Sequence, residues 1–236
     1  MRIDRYYHIA ALPALGELGS APPMGLAELM EHVGEHSRPG KLVGALVLFD
    51  DLLQREAYLA GEIEAAEPVV LTAAEAQNDA PLPAFLDPPD EHEPWTIDSD
   101  AVWEAYFRHV AELGQQLASP FLVEWARFEV ALRNALASAR ADRLGLEEAG
   151  YLVAKDMADD QEDFSAVLNE WAAAPSPLAG LRAVLRARWA WLDRHDAWFT
   201  FSEDELAAYA ARLMLLEQWR RTTEDDEPAA AEAAPP

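Results

Sequence analysis

The sequence predicts an all-α protein: a multi-helix bundle with an irregular N-terminal segment and a disordered acidic C-terminal tail. Three observations carry this. Ala is abundant while Gly is low, at 11 of 236 residues, a balance that favours helices. Apolar residues recur at steps of three and four through most of the chain, as in helices that bury one face. Several of these stripes open on a capping residue and close on Gly, whereas beyond the first few residues no comparable run alternates with period two.

Residues 1–23 are expected to be extended or irregular. Tyr6, Tyr7 and Ile9 are poor helix markers, and Pro13, Pro22 and Pro23 punctuate the stretch after them. The start, residues 1–15, is interrupted by Asp4, His8 and Pro13 and its apolar run 9–15 is too short for a signal peptide, so it is read as mature protein. Leu26, Leu29, Met30 and Val33 then mark a first helix. Leu42, Leu46, Phe49, Leu53 and Tyr58 mark a second, expected to start after Pro39 and Gly40.

Residues 80–94 hold five prolines and four acidic residues, which cannot sustain a helix and predict a solvated connector. The expected organisation is a helical region over 1–80, a connector over 81–97, the main bundle over 98–222 and a tail over 223–236.

Within the bundle, Val102, Tyr106, Val110, Leu113 and Leu117 give one apolar stripe over 98–117. Ser119 before Pro120 is a cap followed by proline at the first helical position. It opens a helix whose buried face is predicted as Phe121, Trp125, Phe128, Leu132, Leu136 and Ala139 and which Gly145 closes. Asp159 and Glu162 have capping-box spacing before Phe164, Val167, Leu168 and Trp171. Ser176 and Pro177 repeat the cap-and-proline signal ahead of Leu178, Leu181, Leu185, Trp189 and Leu192. A second capping box, Ser202 with Glu205, precedes Leu206, Tyr209, Leu213, Leu216 and Trp219.

Charge and composition exclude several functions. A net charge of −25, from 43 acidic and 18 basic residues, would repel a phosphate backbone, so nucleic acid is not an expected partner. No cysteine is present, which removes disulfides, thiol nucleophiles and thiolate metal sites. The apolar run 42–49 falls far short of the roughly 20 residues that span a bilayer, so any membrane contact is expected to be indirect. The charge is also uneven: residues 56–104 contain thirteen Asp and Glu and no Lys or Arg, while Arg182, Arg186, Arg188 and Arg194 crowd one late segment.

Motifs for chemistry are sparse. His32 and His36 have the i, i+4 spacing of two metal ligands, but Gly34 lies between them and no third ligand is placed, so they read as a solvated helix end. Asp156, Asp159, Asp160, Glu162 and Asp163 lack the Gly and terminal Glu of a calcium loop and read as a charged helix start. No Glu-x-x-His pair, Gly-x-Ser-x-Gly turn, Walker loop or Gly-x-Gly-x-x-Gly turn occurs. The expectation is therefore a chain that is not an enzyme and holds no cofactor or metal.

The arginines have two open readings. Arg182 and Arg186, one helical turn apart, suit carboxylate recognition on an acidic partner, and they equally suit pairing within a chain so rich in carboxylates. Trp189 and Trp191 cannot both face one side of a helix, which leaves one for an interface. The candidate partner-binding residues are Arg182, Arg186, Arg188, Arg194 and Trp191.

Three segments carry a resemblance. Tyr6-Tyr7-His8-Ile9-Ala10-Ala11-Leu12-Pro13-Ala14-Leu15, then Phe128-Glu129-Val130-Ala131-Leu132-Arg133-Asn134-Ala135-Leu136, then the stretch from Leu206-Ala207-Ala208-Tyr209-Ala210-Ala211-Arg212-Leu213 to Leu216-Glu217-Gln218-Trp219 resemble an uncharacterised bacterial family encoded among V-type (A/V-type) ATPase subunits. That family is similar to a shortened form of the C subunit of the V-type ATP synthase, and Glu129, Asn134, Leu136 and Gly145 resemble a recurrent pattern of that subunit. The resemblance implies a cytoplasmic helical adaptor, peripheral at the inner face of the membrane. It would couple the membrane rotor ring to the central stalk without touching ATP, and its partners would be other V-type ATPase subunits. An accessory or assembly factor that binds those subunits transiently is the alternative, with the acidic stretch 56–104 as its docking strip. A metal- or small-molecule-dependent helical enzyme is a third reading.

Overall fold

The computed structural model describes residues 9–87, 96–158, 162–195 and 202–224. Among them every regular element is helical: α1 (Leu26–Val33), α2 (Arg38–Leu59), the short α3 (Ala73–Ala76), α4 (Asp98–Gln116), α5 (Pro120–Leu144), α6 (Ser165–Ala173), α7 (Pro177–Arg194) and α8 (Glu203–Glu224), with 3-10 turns at Ala84–Leu86, Glu148–Tyr151 and Lys155–Met157. The protein is all-α, as its apolar stripes predict. Residues 11–25 contain no helix. Residues 1–8, the second half of the predicted connector at 88–95, and the tail beyond 224 lie outside the described residues.

Helix ends follow the capping chemistry written in the sequence. The Ser119 hydroxyl accepts from the Leu122 N–H (3.3 Å) with Pro120 at the first position, and Gly145 closes α5 in the left-handed region at φ 67°. The Ser176 hydroxyl accepts from the Ala179 N–H (3.2 Å) ahead of Pro177, and that of Ser202 from the Glu205 N–H (3.4 Å). Substituting Ser176→Ala is expected to cost about 1 kcal/mol, seen as a lowered thermal midpoint, because the amides of the first turn lose that acceptor.

Two predicted starts are corrected. α2 begins at Arg38, so Pro39 and Gly40 lie inside its first turn and not before it. Proline is harmless there because the first-turn N–H groups have no partner within the helix, and the Ser37 hydroxyl accepts from the Gly40 N–H at 2.9 Å. α6 starts at Ser165, later than the Asp159–Glu162 spacing implies: the Leu168 N–H bonds to the Phe164 carbonyl (2.9 Å) and the Ser165 N–H to Asp163 Oδ1 (2.9 Å). Asp159 lies outside the described residues. One capping box has no counterpart among the predicted helix starts: Thr72 and Glu75 bond reciprocally around the start of α3.

The chain divides into two compact units, residues 1–47 with 169–236, and residues 48–168. Neither boundary falls in the 81–97 connector; one lies within α2 and the other within α6. Within that stretch the Ala84–Leu86 turn packs on α4 with Leu86 almost fully buried.

In the first unit α8 packs against α7 and α1. From Leu206 to Leu216 only Tyr209 is not buried, so this helix is enclosed on nearly every side, where the stripe of leucines alone predicted one face. The intervening alanines make that possible, since they let neighbours approach all round. The Tyr209 hydroxyl donates to the Pro13 carbonyl (2.9 Å), and Gly19, at φ 98°, lies against the Trp219 indole, which ties the irregular N-terminal segment to α8.

In the second unit α4 and α5 are the central pair. The buried face of α4 is rotated from its predicted stripe: Val102 and Leu113 are half-exposed, while Trp103, Tyr106, Phe107, Val110 and Gly114 are buried. Phe49, Trp103, Tyr106 and Phe107 form one aromatic cluster, with Phe49 and Trp103 edge to face at 5.2 Å. Gly114 admits α5, because a Cβ there would lie 2.8 Å from a Val123 methyl and 3.1 Å from the Val123 nitrogen. Burial on α5 fades after Leu132, so the predicted core positions Leu136 and Ala139 are only half-buried.

Candidate functional site

Each predicted partner-binding residue sits on α7, in the first unit. Arg182 is half-buried and caps the C-terminal end of α8: its Nη2 donates to the Thr222 carbonyl (2.8 Å) and its Nε to the Thr222 hydroxyl (3.2 Å). The Arg186 guanidinium is exposed and pairs with Glu170. Both guanidinium groups lie about 6 Å from the Trp219 ring, at 5.8 and 5.9 Å from its centroid. Arg188 is buried, and Arg194 is exposed at the end of the helix.

Trp191 is 2% exposed and stacks on His195 at 4.0 Å, and Trp189 is buried beneath the Arg212 guanidinium at 4.9 Å. Neither tryptophan is left at the surface, because α7 is buried along two adjacent stripes, 184–188–191 and 185–189–192; the residue that the predicted stripe exposes is Leu181. The expected docking set therefore loses Trp191 and Arg188 to the interior and Arg182 to a helix cap. Arg186 and Arg194 keep exposed guanidinium groups.

The second unit gathers polar chemistry that no sequence motif marks. Of the net −25, it carries 26 acidic against 7 basic residues, a net −19. Several of the acids are internal ties. The Trp103 indole donates to Glu56 Oε1 (2.7 Å), Arg133 lies over the Trp103 ring (4.7 Å to the centroid), and Arg133 Nη2 donates to Asp100 Oδ1 (2.9 Å) and stands 4.0 Å from Glu56. Asp100 is buried, its Oδ2 has no hydrogen-bond partner among the described residues, and burial raises its pKa against the pull of Arg133.

A second network fastens residues 146–158. Glu104 Oε1 accepts from Arg108 Nε (3.0 Å) and Nη2 (2.8 Å), while its Oε2 accepts from the Ala154 N–H (2.9 Å). Arg108 continues to both oxygens of Asp156, at 3.1 and 2.8 Å. These bonds hold Arg108 above its usual pKa and Asp156 below the usual carboxylate range. Asn134 closes on the main chain of Val153 from both sides, accepting from its N–H (3.0 Å) and donating to its carbonyl (2.8 Å). Ala154 is thereby held in the left-handed region at φ 42°, a conformation that costs an L-residue about 1 kcal/mol. Asp156, expected at a charged helix start, belongs to this network instead.

A third tie is Asp51, on α2 and fully buried, which accepts the main-chain N–H groups of Val69, Val70 and Leu71. Its one sequence signal was an acidic pair, Asp50 and Asp51, in the middle of the 42–53 apolar pattern. Acids placed where a stripe demands apolar residues are either mis-phased or bonded inside, and here both are buried.

Chemically, these arrangements hold main chain and position helices. His32 ends α1 and His36 is exposed beyond it; among the described residues no group of three or more His, Asp or Glu is placed to hold a metal ion, and no helix is long and apolar enough to cross a membrane. The chain matches no protein-family model, no curated protein and no solved structure.

Proposed function

We propose that this chain is a non-catalytic component of a bacterial V-type ATPase, similar to its C subunit, coupling the membrane rotor ring to the central stalk from the cytoplasmic side. The reading rests on the resemblance of the three segments, and one observation supports it. The first and last of them meet, through the Tyr209 hydroxyl that donates to the Pro13 carbonyl. Segments nearly two hundred residues apart thus belong to one folded unit, as expected if the resemblance describes a domain and not isolated patches. A coupling part needs stiff helices and complementary charge, and the buried carboxylates that tie main chain to helix suit that work.

The second reading, a transient accessory or assembly factor, draws on the net −19 of residues 48–168, a surface suited to shielding basic regions of a partner before assembly. Affinity purification of the tagged full chain from native membranes, with quantitative mass spectrometry, separates the two. A subunit co-purifies in constant stoichiometry with the working ATPase, whereas a factor is lost from the mature complex. Recovery of no ATPase subunit in either fraction rejects both.

For the docking surface, the double substitution Arg186→Glu with Arg194→Glu is expected to weaken capture of ATPase subunits at least about tenfold while the helical circular dichroism is unchanged. Unchanged capture removes these arginines from the surface. Arg182 is not a clean probe, because reversing its charge uncaps α8.

A further inference from the structure

Three side chains of α2, Gln54, Arg55 and Asp51, reach the segment 66–79. Gln54 exchanges two bonds with the main chain of Glu67, accepting at 2.9 Å and donating at 3.5 Å. Arg55 reaches the Glu75 carbonyl (3.3 Å) and Asn78 Oδ1 (2.7 Å). The central tie is Asp51, whose Oδ1 accepts from Val69 (2.9 Å) and whose Oδ2 accepts from Val70 and Leu71 (2.7 and 2.8 Å).

What sets this carboxylate apart is the charge around it. Among the described residues no cation bonds to it: Arg55, the nearest in sequence, is turned to Glu75 and Asn78. The charged group that acts on it is Asp50, a second buried carboxylate, bonded by Gln54 Nε2 at 2.9 Å. On the segment itself Glu75 is taken up by Thr72, and Glu67 meets α2 through its main chain. On α4, which lies on the Phe49 side of α2, Asp100, Glu104 and Arg108 are engaged by Arg133 and Asp156. Among the described residues, the groups bonded to this buried carboxylate are thus three main-chain amides, and a second carboxylate stands beside it.

We infer that Asp51 is a pH-dependent latch, holding residues 66–72 on α2 more firmly when its carboxyl is protonated and letting the segment open as the carboxyl ionises. Protonation removes the charge but leaves acceptor capacity on the oxygens for the amides. Burial outweighs the three N–H groups, and the carboxyl is pushed up to about 6. The opened segment exposes Asp51 to water, where an aspartate titrates near 3.9. The closed form therefore binds the proton more tightly, so closure is favoured below both values and weakens as the pH rises between them. Opening uncovers Val69, Val70 and Leu71, an apolar run of which Leu71 is buried in the closed form.

The test is amide hydrogen exchange of the full chain by NMR at pH 5.0 and 7.5, each rate divided by its intrinsic rate. Opening at Val69, Val70 and Leu71 is expected to be about tenfold more frequent at pH 7.5, with no such change in α5, and the Asp51 carboxyl carbon should titrate near 6. In Asp51→Asn the pH dependence at the three amides should vanish, because the neutral side chain no longer titrates. Equal opening at the two pH values, a carboxyl midpoint below 4, or a pH dependence that persists in Asp51→Asn overturns the latch. If the variant fails to fold, the exchange and titration of the unaltered chain decide it.

Discussion

Gly40→Ala is expected to destabilise the first unit by about 3 kcal/mol, although alanine is the better helix former by about 1 kcal/mol. The reason is a close approach inside the turn that joins α1 to α2. A Cβ on Gly40 would sit 2.1 Å from the Gly34 carbonyl oxygen and 2.8 Å from that of Glu35. Both are main-chain atoms in a turn already fixed by the Ser37 N–H on the Gly34 carbonyl (2.9 Å) and by Gly34 at φ 74°, so neither has a rotamer through which to retreat. Gly44, one turn further along α2, is the internal control. A Cβ there meets only the end of the flexible Met30 side chain, at 3.5 Å, so Gly44→Ala should be neutral or stabilising by up to about 1 kcal/mol. Urea unfolding followed by circular dichroism compares the two. Equal midpoints for both variants would show that the turn moves aside at no cost.

Trp103→Ala is expected to cost about 4 kcal/mol. Trp103 is 1% exposed and touches three rings, Phe49, Tyr106 and Phe107. Its indole also donates to Glu56 and lies beneath Arg133. Truncation empties a large volume and releases the pair that positions Arg133 on Asp100. Trp103→Phe separates these contributions: it refills most of the space but removes the donor to a half-exposed carboxylate, and should cost about 1 to 2 kcal/mol. Unfolding midpoints of the two variants measure the difference, and equal losses would mean that the indole N–H, not ring packing, dominates.

How far the sequence could be read depends on how far apart the partners stand. The caps at Ser119, Ser176 and Ser202 and the closing Gly145 are contacts over three or four residues, and the sequence displays them whole. Pro39 misleads if proline is weighed as a breaker without asking which N–H it removes. The α4 stripe is predicted about one position away from the buried face because Val102, Leu113 and Leu117 are as apolar as the residues that are buried; hydrophobicity chooses a side only when the partner helix is known. Placing Trp191 at an interface presumes that a helix buries one face, and α7 buries two.

The ties that organise the second unit were the least legible, since each joins residues far apart in the chain. Asp51 meets residues eighteen to twenty positions away, Asn134 meets Val153 at nineteen, and Glu104 meets Ala154 at fifty. No spacing rule connects such pairs, and an Asp, Asn or Glu on a helix looks the same whether it faces water or clasps a loop.

By itself the sequence determined the helical class, most helix boundaries and the distribution of charge, because these follow from backbone preference, first-turn hydrogen bonding and composition, all of which act locally. Only the tertiary structure decided that the N-terminal segment shares a unit with α8, which arginines remain exposed, and which carboxylates are internal. Those outcomes depend on which surfaces exclude water together, and that is settled when distant segments meet.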